Sequence, residues 1–376
     1  MSHFAPSNHA KTPSIRVNIA ELYHYVNRYG FKFDARQPNR ARLSSPESKT
    51  STQNNLKSYN TQQCTAQTTR FARLIREPDM NPTPDASGRK KTTHILRSTG
   101  KHWVGDGFPV QTLFAYPEHG TLLSPFLLLD YAGPMEFPPT ERRLGVGEHP
   151  HRGFETVTIA YSGAVEHRDS SGGTGRIGPG DVQWMTAASG VVHEEFHART
   201  FARQGGMFEM IQLWINLPAA HKMDAPRYQT ILDGQIPVVE LPDRQGRVRV
   251  IAGNYAGISG PAQTVTPLHV WDLRLSGTQP IRIVLPEHQT VALLVLKGEC
   301  HLHDHNTPLH SAEIAVFERQ HTHLDIKRAD DVTALLLCGE PIREPIVGSG
   351  PFVMNTAAEI HQAFSDYQSG AMGHLS

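Results

Sequence analysis

The chain has 376 residues, and its 36 basic and 36 acidic side chains give a formal net charge of zero. A balanced charge produces no global field that would attract nucleic acid or an anionic membrane, so we expect a small-molecule or protein partner and no direct binding of nucleic acid. The longest apolar runs have the length of strands, which predicts that no segment spans a membrane. The three cysteines are widely spaced and odd in number, which excludes a disulfide framework and indicates a reducing, cytoplasmic compartment.

Residues 1–90 differ in composition from the rest of the chain. The stretch 35–67 is rich in Ser, Thr, Asn, Gln and Arg and poor in large apolar side chains, so it cannot bury enough surface to offset the entropy of ordering. We therefore predict a disordered extension over 1–90. An Arg-rich targeting presequence is one alternative. Another is that the extension is not made at all, since Met80 starts a polar leader that runs into the first folded segment.

From His94 onwards the sequence breaks into short apolar runs separated by Gly, Pro and Asp. The runs include FPVQTLFAY, SPFLLLDYAG, ETVTIAYSG and FEMIQLWINL. Strands of this length with turn residues between them predict an all-β barrel or sandwich. A second set of similar runs follows Pro226 and indicates a duplicated barrel. We therefore divide the folded chain into an N-terminal barrel over 91–220 and a C-terminal barrel over 221–376.

The C-terminal segment predicts one amphipathic helix. Asn355 or Thr356 can cap its start, and apolar residues recur at helical spacing from Ala357 to Phe364. Gly370 is placed to end it. Helix signals are nearly absent before this segment.

The stretch GEHPHRGFETVTIAYSG carries the strongest chemical signal. His149 and His151 are two residues apart, so an extended strand would place both on one face, and Glu155 would join them if the strand stayed regular. Imidazole binds iron, copper, nickel and zinc, and an added carboxylate with open positions suits non-haem ferrous iron. The stretch therefore predicts part of a metal site.

A second pair of candidate ligands occurs further along the chain. His193 and Glu195 repeat the two-residue spacing and follow a Pro-Gly-Asp turn. Composition alone predicts roughly one His-x-His among 22 His, and this chain has four, so a single pair is weak evidence. The position of both pairs beside glycine turns of a predicted barrel strengthens the prediction of a metal site. The alternative is a purely structural barrel without metal.

Three alternating histidines in the second half show part of the same pattern. They are His301, His303 and His305. On a regular strand they would share a face and could form a second metal site. We favour a polar, outward strand face instead, because no nearby glutamate completes a ligand set. The C-terminal barrel is therefore predicted to lack a metal site.

Several motifs together resemble those of the pirin family, within the cupin superfamily of small β-barrels. They are HWVGDGFPV, LLDYAGP, HPHRGFETVT, GDVQWMTA, VVHEE, QLWINLP and GPFVMNT. The resemblance covers 94–373, essentially all of the folded chain. It implies an all-β bicupin, in which two antiparallel barrels pack face to face and the N-terminal barrel holds one metal, usually iron.

The resemblance also implies which residues bind the metal. The family's ligands fall on His149, His151, His193 and Glu195. Glu155 matches the glutamate of the general cupin motif instead, so two carboxylates compete for one role. We follow the closer family and assign Glu195, and we leave Glu155 as a supporting residue or an alternative ligand. Iron(II) is the expected ion, and other divalent transition metals accept the same donors.

The activities of the family are mixed. Some members are similar to quercetin 2,3-dioxygenases, which open a flavonol ring with dioxygen and release carbon monoxide. Iron(II) with four protein ligands keeps open positions for an enolate substrate or oxygen, and Glu195 can accept the flavonol hydroxyl proton. We therefore expect a monomeric dioxygenase acting on flavonols or related enolic aromatic substrates. The alternative is an iron-dependent, redox-sensing protein that regulates transcription or a metabolic enzyme through a protein partner.

Three apolar side chains lie within the two motif stretches. They are Phe154, Trp184 and Met185. They could form a pocket for an aromatic substrate, but barrel core is the favoured interpretation.

Overall fold

The computed structural model describes residues 88–98 and 100–375. The predicted disordered extension lies outside the described residues, apart from its last three positions, and so do residues 80–87 of the leader that starts at Met80. Strands dominate the described chain, as predicted for an all-β protein. Within these ranges no helix combines the length and the apolar character that a membrane span requires.

Among the described residues up to Ile231 there are twelve strands, and most of them build the first barrel. They are β1 (Thr92–Arg97), β2 (Lys101–Val104), β3 (Phe108–Ala115), β4 (Phe126–Phe137), β5 (Gly145–His151), β6 (Phe154–Ser162), β7 (Val165–Asp169), β8 (Thr174–Ile177), β9 (Val182–Thr186), β10 (Val191–His197), β11 (Gly206–Asn216) and β12 (Arg227–Ile231). A seven-stranded sheet has the order β12-β9-β6-β11-β4-β3-β2, and a four-stranded sheet has the order β5-β10-β7-β8. Side chains from both sheets meet between them, which makes a small antiparallel barrel.

Eleven strands follow in the described chain. They are β13 (Val238–Glu240), β14 (Gly246–Ala252), β15 (Asn254–Tyr255), β16 (Ile258–Ser259), β17 (Leu268–Gly277), β18 (Ile281–Val284), β19 (Thr290–Leu302), β20 (Glu313–Phe317), β21 (His323–Gly339), β22 (Val347–Ser349) and β23 (Phe352–Met354). The main sheet has the order β1-β20-β19-β21-β17-β14-β13, and β18 also pairs with β21. Its interior is filled with apolar side chains such as Trp271, Leu293 and Phe317.

Two strands cross the predicted boundary between the barrels. β1 precedes the first barrel in sequence but pairs antiparallel with β20 of the second. β12 follows residue 220 but pairs with β9 of the first. The predicted ranges 91–220 and 221–376 therefore do not follow sheet membership at these two strands, because the pattern within a strand carries no information about its partner.

One apolar cluster contains residues of both barrels. Along β6, Val157 and Ile159 point toward the second barrel, where they join Leu294 and Leu335 in a single buried cluster. Full burial of one such side chain contributes about 1.5–3 kcal/mol, so this cluster holds the barrels together. The face-to-face bicupin arrangement predicted from the sequence is confirmed.

The described residues contain two short α-helices, α1 (Tyr116–Leu123) and α2 (Arg199–Gln204), and a longer one, α3 (Ala357–Gln368). The predicted C-terminal helix is α3. The Oγ1 of Thr356 accepts the N–H of Glu359 at 3.2 Å, and the Glu359 carboxylate accepts the N–H of Asn355 at 3.1 Å. This reciprocal cap starts α3.

The two shorter helices are not predicted from the sequence. Each is too short for an apolar period to reveal it. At the end of α1, the guanidinium of Arg319 donates to the carbonyl oxygens of Thr121 and Leu122 at 2.9 and 3.1 Å. A side chain from the second half therefore caps a helix of the first.

Candidate metal centre

Six polar side chains lie on one face of the four-stranded sheet. They are His149, His151, His167, Asp169, His193 and Glu195. In the ladder, His193 of β10 lies between His149 of β5 and Asp169 of β7. Residues directly opposite each other in an antiparallel pair share a face, so strand pairing alone brings these groups together.

Three of the predicted ligands form a tight cluster. Ligand nitrogens of His149, His151 and His193 lie within 4.8 Å of one another. His151 and His193 are buried, whereas His149 is partly exposed. Burial lowers the pKa of all three imidazoles, and that of His151 and His193 lies well below the usual 6.5. The rings are therefore neutral at pH 7, as metal binding requires.

The Nε2 atom of His193 shows how the cluster fits a metal. Nothing in the described part of the chain offers this buried nitrogen a hydrogen-bond partner. Leaving such an atom unpaired costs about 1–3 kcal/mol, a cost that a bound cation would remove. The Nδ1 atoms of His149 and His151 face the carbonyl oxygens of Gly147 and Pro351 at 2.8 and 3.4 Å, so their Nε2 lone pairs are also free. Imidazole donors with a nearby carboxylate suit a divalent transition metal.

Glu195 lies beside this cluster. One carboxylate oxygen is within 4.8 Å of ligand nitrogens of both His167 and His193. Its Oε1 accepts the amide N–H of Gln183 at 2.7 Å, from the facing seven-stranded sheet. Thr158 of the same sheet lies 3.4 Å from this oxygen. The predicted histidines and Glu195 are thus brought together, and their assignment as ligands stays a prediction.

Glu155 lies elsewhere. The chain turns at Gly153, where φ is 89°, so the strand that carries His151 does not continue to Glu155. Within β6, Thr158 faces Glu195, and Glu155 at an odd spacing from it faces the other way. The Oε1 of Glu155 accepts a hydrogen bond from Thr186 at 2.7 Å. The expectation of a shared face with the histidines fails because the strand is not regular.

His167 is a site residue that the sequence reasoning missed. Its Nδ1 lies 3.4 Å from Nδ1 of His193, and its ring stacks on Tyr228 with centroids 4.5 Å apart and planes 10° apart. The usable signal is VEHRD, where His167 and Asp169 repeat the two-residue spacing of the other candidate pairs directly after the Gly163 turn.

The partner of His167 is a buried carboxylate. Asp169 Oδ2 lies 2.9 Å from His167 Nε2, and neither side chain is exposed. Burial opposes ionisation of Asp169, but hydrogen bonds from His167, Ser171 and Gly173 outweigh it and lower its pKa. The carboxylate is therefore an acceptor at neutral pH.

Tyr228 and Gln183 extend these contacts on the facing sheet. The Tyr228 hydroxyl donates to Gln183 Oε1 at 3.2 Å. Burial raises the pKa of Tyr228 to about 12, so the hydroxyl keeps its proton.

The three apolar side chains of the motif stretches have different surroundings. Trp184 is fully buried in the core between the barrels. Phe154 stacks on Trp214 with centroids 4.3 Å apart and meets the edge of His151 at 5.1 Å. Met185 packs with Val191 in a small cluster of its own. Barrel core is thus the environment of Trp184, whereas Phe154 touches a predicted ligand.

The histidines of the second half lie at a partly exposed edge. β19 ends at Leu302, so only His301 of the three belongs to the strand. Ligand atoms of Glu299, His301 and Asp330 lie within 4.8 Å of one another. The expectation that no glutamate lies near these histidines is therefore wrong. The guanidinium of Arg328 also lies 2.9 Å from His301 Nε2, and a cation at this place opposes metal binding. The absence of a metal site from this barrel stays a prediction.

Comparison with known proteins identifies relatives of the chain. The family model Pirin matches residues 107–215, and the model of the pirin C-terminal cupin domain matches 270–373. A Pseudomonas aeruginosa protein named "putative quercetin 2,3-dioxygenase" is 54% identical over 281 residues, which are 75% of this chain and 98% of that protein. Mouse pirin is 34% identical over 77% of this chain and 95% of its own length. A crystal structure of quercetin 2,3-dioxygenase from Acinetobacter baumannii matches with a TM-score of 0.74 and 49% identity, covering 77% of this chain and all of that one.

Proposed function

Because the chain belongs to the pirin family of two-barrel cupins, we propose that it is a metal-dependent oxidoreductase that cleaves quercetin-type flavonols, or related enolic aromatic substrates, with dioxygen. Relatives at 54% and 49% identity carry the name of this activity. The observation that carries the proposal is a pair of overlapping groups of ligand atoms, His149 with His151 and His193, and His167 with His193 and Glu195, which share His193 and its unpaired Nε2.

The proposed metal is iron(II), and other divalent transition metals suit the same donors. The ligands are His149, His151, His193 and Glu195. Bound there, the ion would act as a Lewis acid toward a substrate oxygen and supply open positions for dioxygen. His149 is the partly exposed ligand, so we place the entry of substrate on its side.

The protein's own part in the proposed reaction is to take a proton and to exclude water. Glu195 is the proposed acceptor of the flavonol hydroxyl proton. Gln183 holds its Oε1 at 2.7 Å, which leaves Oε2 to turn toward the histidines. His151 and Phe154 are buried, so the inner side of the site is shielded from bulk solvent. Such shielding strengthens the electrostatic interactions on which the proposed proton transfer depends.

Metal content and turnover test the proposal in sequence. Purified protein is analysed for metal, reconstituted anaerobically with Fe(II), and assayed for oxygen uptake and carbon monoxide release with quercetin and with simpler catechols. We expect His149→Ala to abolish both metal binding and turnover. His361→Gln, at an exposed position of α3, is the matched control and should change neither.

Two results would contradict the proposal at different levels. Wild-type protein that binds no divalent transition metal would remove the metal site. Wild-type protein that binds iron and turns over neither quercetin nor catechols would remove the dioxygenase and favour the redox-sensing alternative.

A further inference from the structure

We infer that His193 and Glu195 are held in their metal-binding orientation by two chains of hydrogen bonds, which end on Asp169 and Tyr228. Both end residues are positioning residues, since neither is a proposed ligand. The inference rests on the proposed metal site and identifies what orients its ligands. Groups that orient ligands in this way commonly change metal affinity about 10–100-fold when they are removed.

The first chain of hydrogen bonds starts at the two carboxylate oxygens of Asp169. Its Oδ1 accepts hydrogen bonds from the backbone N–H and the hydroxyl of Ser171 at 2.8 and 2.6 Å, and from the N–H of Gly173 at 2.9 Å. Its Oδ2 faces Nε2 of His167 at 2.9 Å. An ionised carboxylate only accepts, so His167 donates from Nε2 and keeps a lone pair on Nδ1.

That lone pair determines where His193 carries its hydrogen. The two Nδ1 atoms of His167 and His193 are 3.4 Å apart, and a hydrogen bond between them requires one to donate and the other to accept. Because His167 Nδ1 is the acceptor, His193 donates from Nδ1. Its Nε2, for which the described residues supply no partner, then keeps the lone pair that a metal requires. Asp169 therefore sets the tautomer of a ligand that it does not contact through its side chain.

The second chain reaches Glu195 from the facing sheet. The Tyr228 hydroxyl donates to Oε1 of Gln183 at 3.2 Å, and Nε2 of Gln183 donates to Oε1 of Glu195 at 2.7 Å. The phenol thus orients the amide, and the amide engages one carboxylate oxygen. The other oxygen is left for the metal.

The two chains of hydrogen bonds come together where the Tyr228 ring stacks on the His167 ring, with centroids 4.5 Å apart. Two glycines, one in the turn after β7 and one in β8, leave room for this contact. A Cβ at Gly175 would lie 2.1 Å from the Tyr228 hydroxyl, and one at Gly173 would lie 2.2 Å from Asp169 Oδ2. A side chain at either glycine would displace Tyr228 or Asp169, the residues at which the two chains of hydrogen bonds end. The local sequence therefore has glycine at both positions.

Asp169→Asn tests the first chain without a change of shape. The Oδ1 position accepts three donors, so an asparagine keeps its oxygen there and turns its NH₂ group toward His167. His167 then accepts at Nε2 and donates from Nδ1, and His193 carries its hydrogen on Nε2. We expect affinity for Co(II) to fall about 10–100-fold and the visible absorption bands of bound Co(II) to change. Asp325→Asn, in the second barrel, is the matched control.

Tyr228→Phe tests the second chain. The ring and its stacking on His167 remain, and only the hydroxyl is lost. We expect affinity for Co(II) to fall about 10-fold and the Co(II) spectrum to shift. Tyr255→Phe is the matched control, because Tyr255 packs edge-on against Trp271 of the second barrel with centroids 4.9 Å apart.

Calorimetric titration with Co(II) and absorption spectra of the loaded proteins separate the possible failures. If wild-type protein binds no Co(II), the proposed metal site itself is wrong. If wild-type protein binds Co(II), and Asp169→Asn and Tyr228→Phe match it in affinity and spectrum, the metal site stands and this inference is wrong. Should Asp169→Asn not fold, as judged by circular dichroism, Tyr228→Phe alone decides, and wild-type affinity with a wild-type spectrum overturns the inference.

Discussion

The variants Glu195→Gln and Glu155→Gln separate the two carboxylates that compete as ligand in the sequence. A four-ligand zinc site in a small domain supplies about 10–16 kcal/mol of binding free energy, or roughly 3 kcal/mol for each ligand. Glutamine at position 195 keeps the shape of the side chain but loses the anionic charge. We therefore expect the dissociation constant for metal to rise about 100-fold in Glu195→Gln.

Glu155→Gln is expected to leave metal affinity unchanged. The carboxyl faces away from Glu195, and burial disfavours its charged form and raises its pKa. A glutamine keeps the oxygen that accepts a hydrogen bond from Thr186 at 2.7 Å. The free energy of unfolding should change by less than about 1 kcal/mol.

The assay compares both variants with wild-type protein under one set of conditions. Each protein is stripped with a chelator and titrated with Co(II) by calorimetry, and elemental analysis gives the stoichiometry. A Glu155→Gln protein that loses its metal, beside a Glu195→Gln protein that keeps it, would refute the reasoning from strand alternation and from the turn at Gly153.

Three further predictions concern the rest of the described chain. Replacing His301, His303 and His305 together by glutamine should leave metal stoichiometry unchanged, because the positively charged guanidinium of Arg328 lies 2.9 Å from the His301 imidazole. A fall by half, measured by elemental analysis, would reveal a second metal site. Lys222→Met should lower the free energy of unfolding by about 2–4 kcal/mol in urea titrations, since the buried Nζ lies within hydrogen-bond distance of three acceptors that would lose their partner; a loss near zero would show that these hydrogen bonds do not stabilise the fold. Hydrogen bonds from arginine guanidinium groups lower the pKa of Asp325 to about 2, below its unfolded value of about 3.9. The stabilisation by the ionised Asp325 carboxylate is present above pH ~4 and is lost as the pH falls through ~2. Thermal midpoints of Asp325→Asn should therefore decline less over this range than those of wild-type protein. Parallel declines would show that the ion pairs of Asp325 contribute nothing to stability.

Local signals account for the parts of the fold that the sequence predicts. The cap at Thr356 and the glycine at 370 mark the C-terminal helix, and both act within a few residues of the helix end. The two-residue spacing of His149 and His151 places both on one sheet face, because strand alternation needs no knowledge of the partner strand. His193 joins them only through the pairing of β10 with β5.

Other features depend on contacts that sequence patterns do not encode. Glu155 leaves the histidine face because the chain turns at Gly153, and the backbone needs a glycine there since a Cβ would lie 2.0 Å from the carbonyl oxygen of Val353. Tyr228 reaches the site only because β12 joins the first barrel. His167 is one histidine among 22, and beyond its two-residue spacing from Asp169 only its contacts in the fold, such as that with His193, distinguish it.

The ribosome delivers β1 long before the strand with which it pairs. Arg97 and its ladder partner Glu313 are 216 residues apart, and at roughly 5–20 residues per second this separation takes about 10–45 s to translate. During that interval β1 has no partner strand, and the second barrel cannot complete its sheet. An unpaired strand is a template for pairing with other chains. Closure of the second barrel is therefore expected to be a late step of folding, because β1 and β20 must meet across more than two hundred residues of chain.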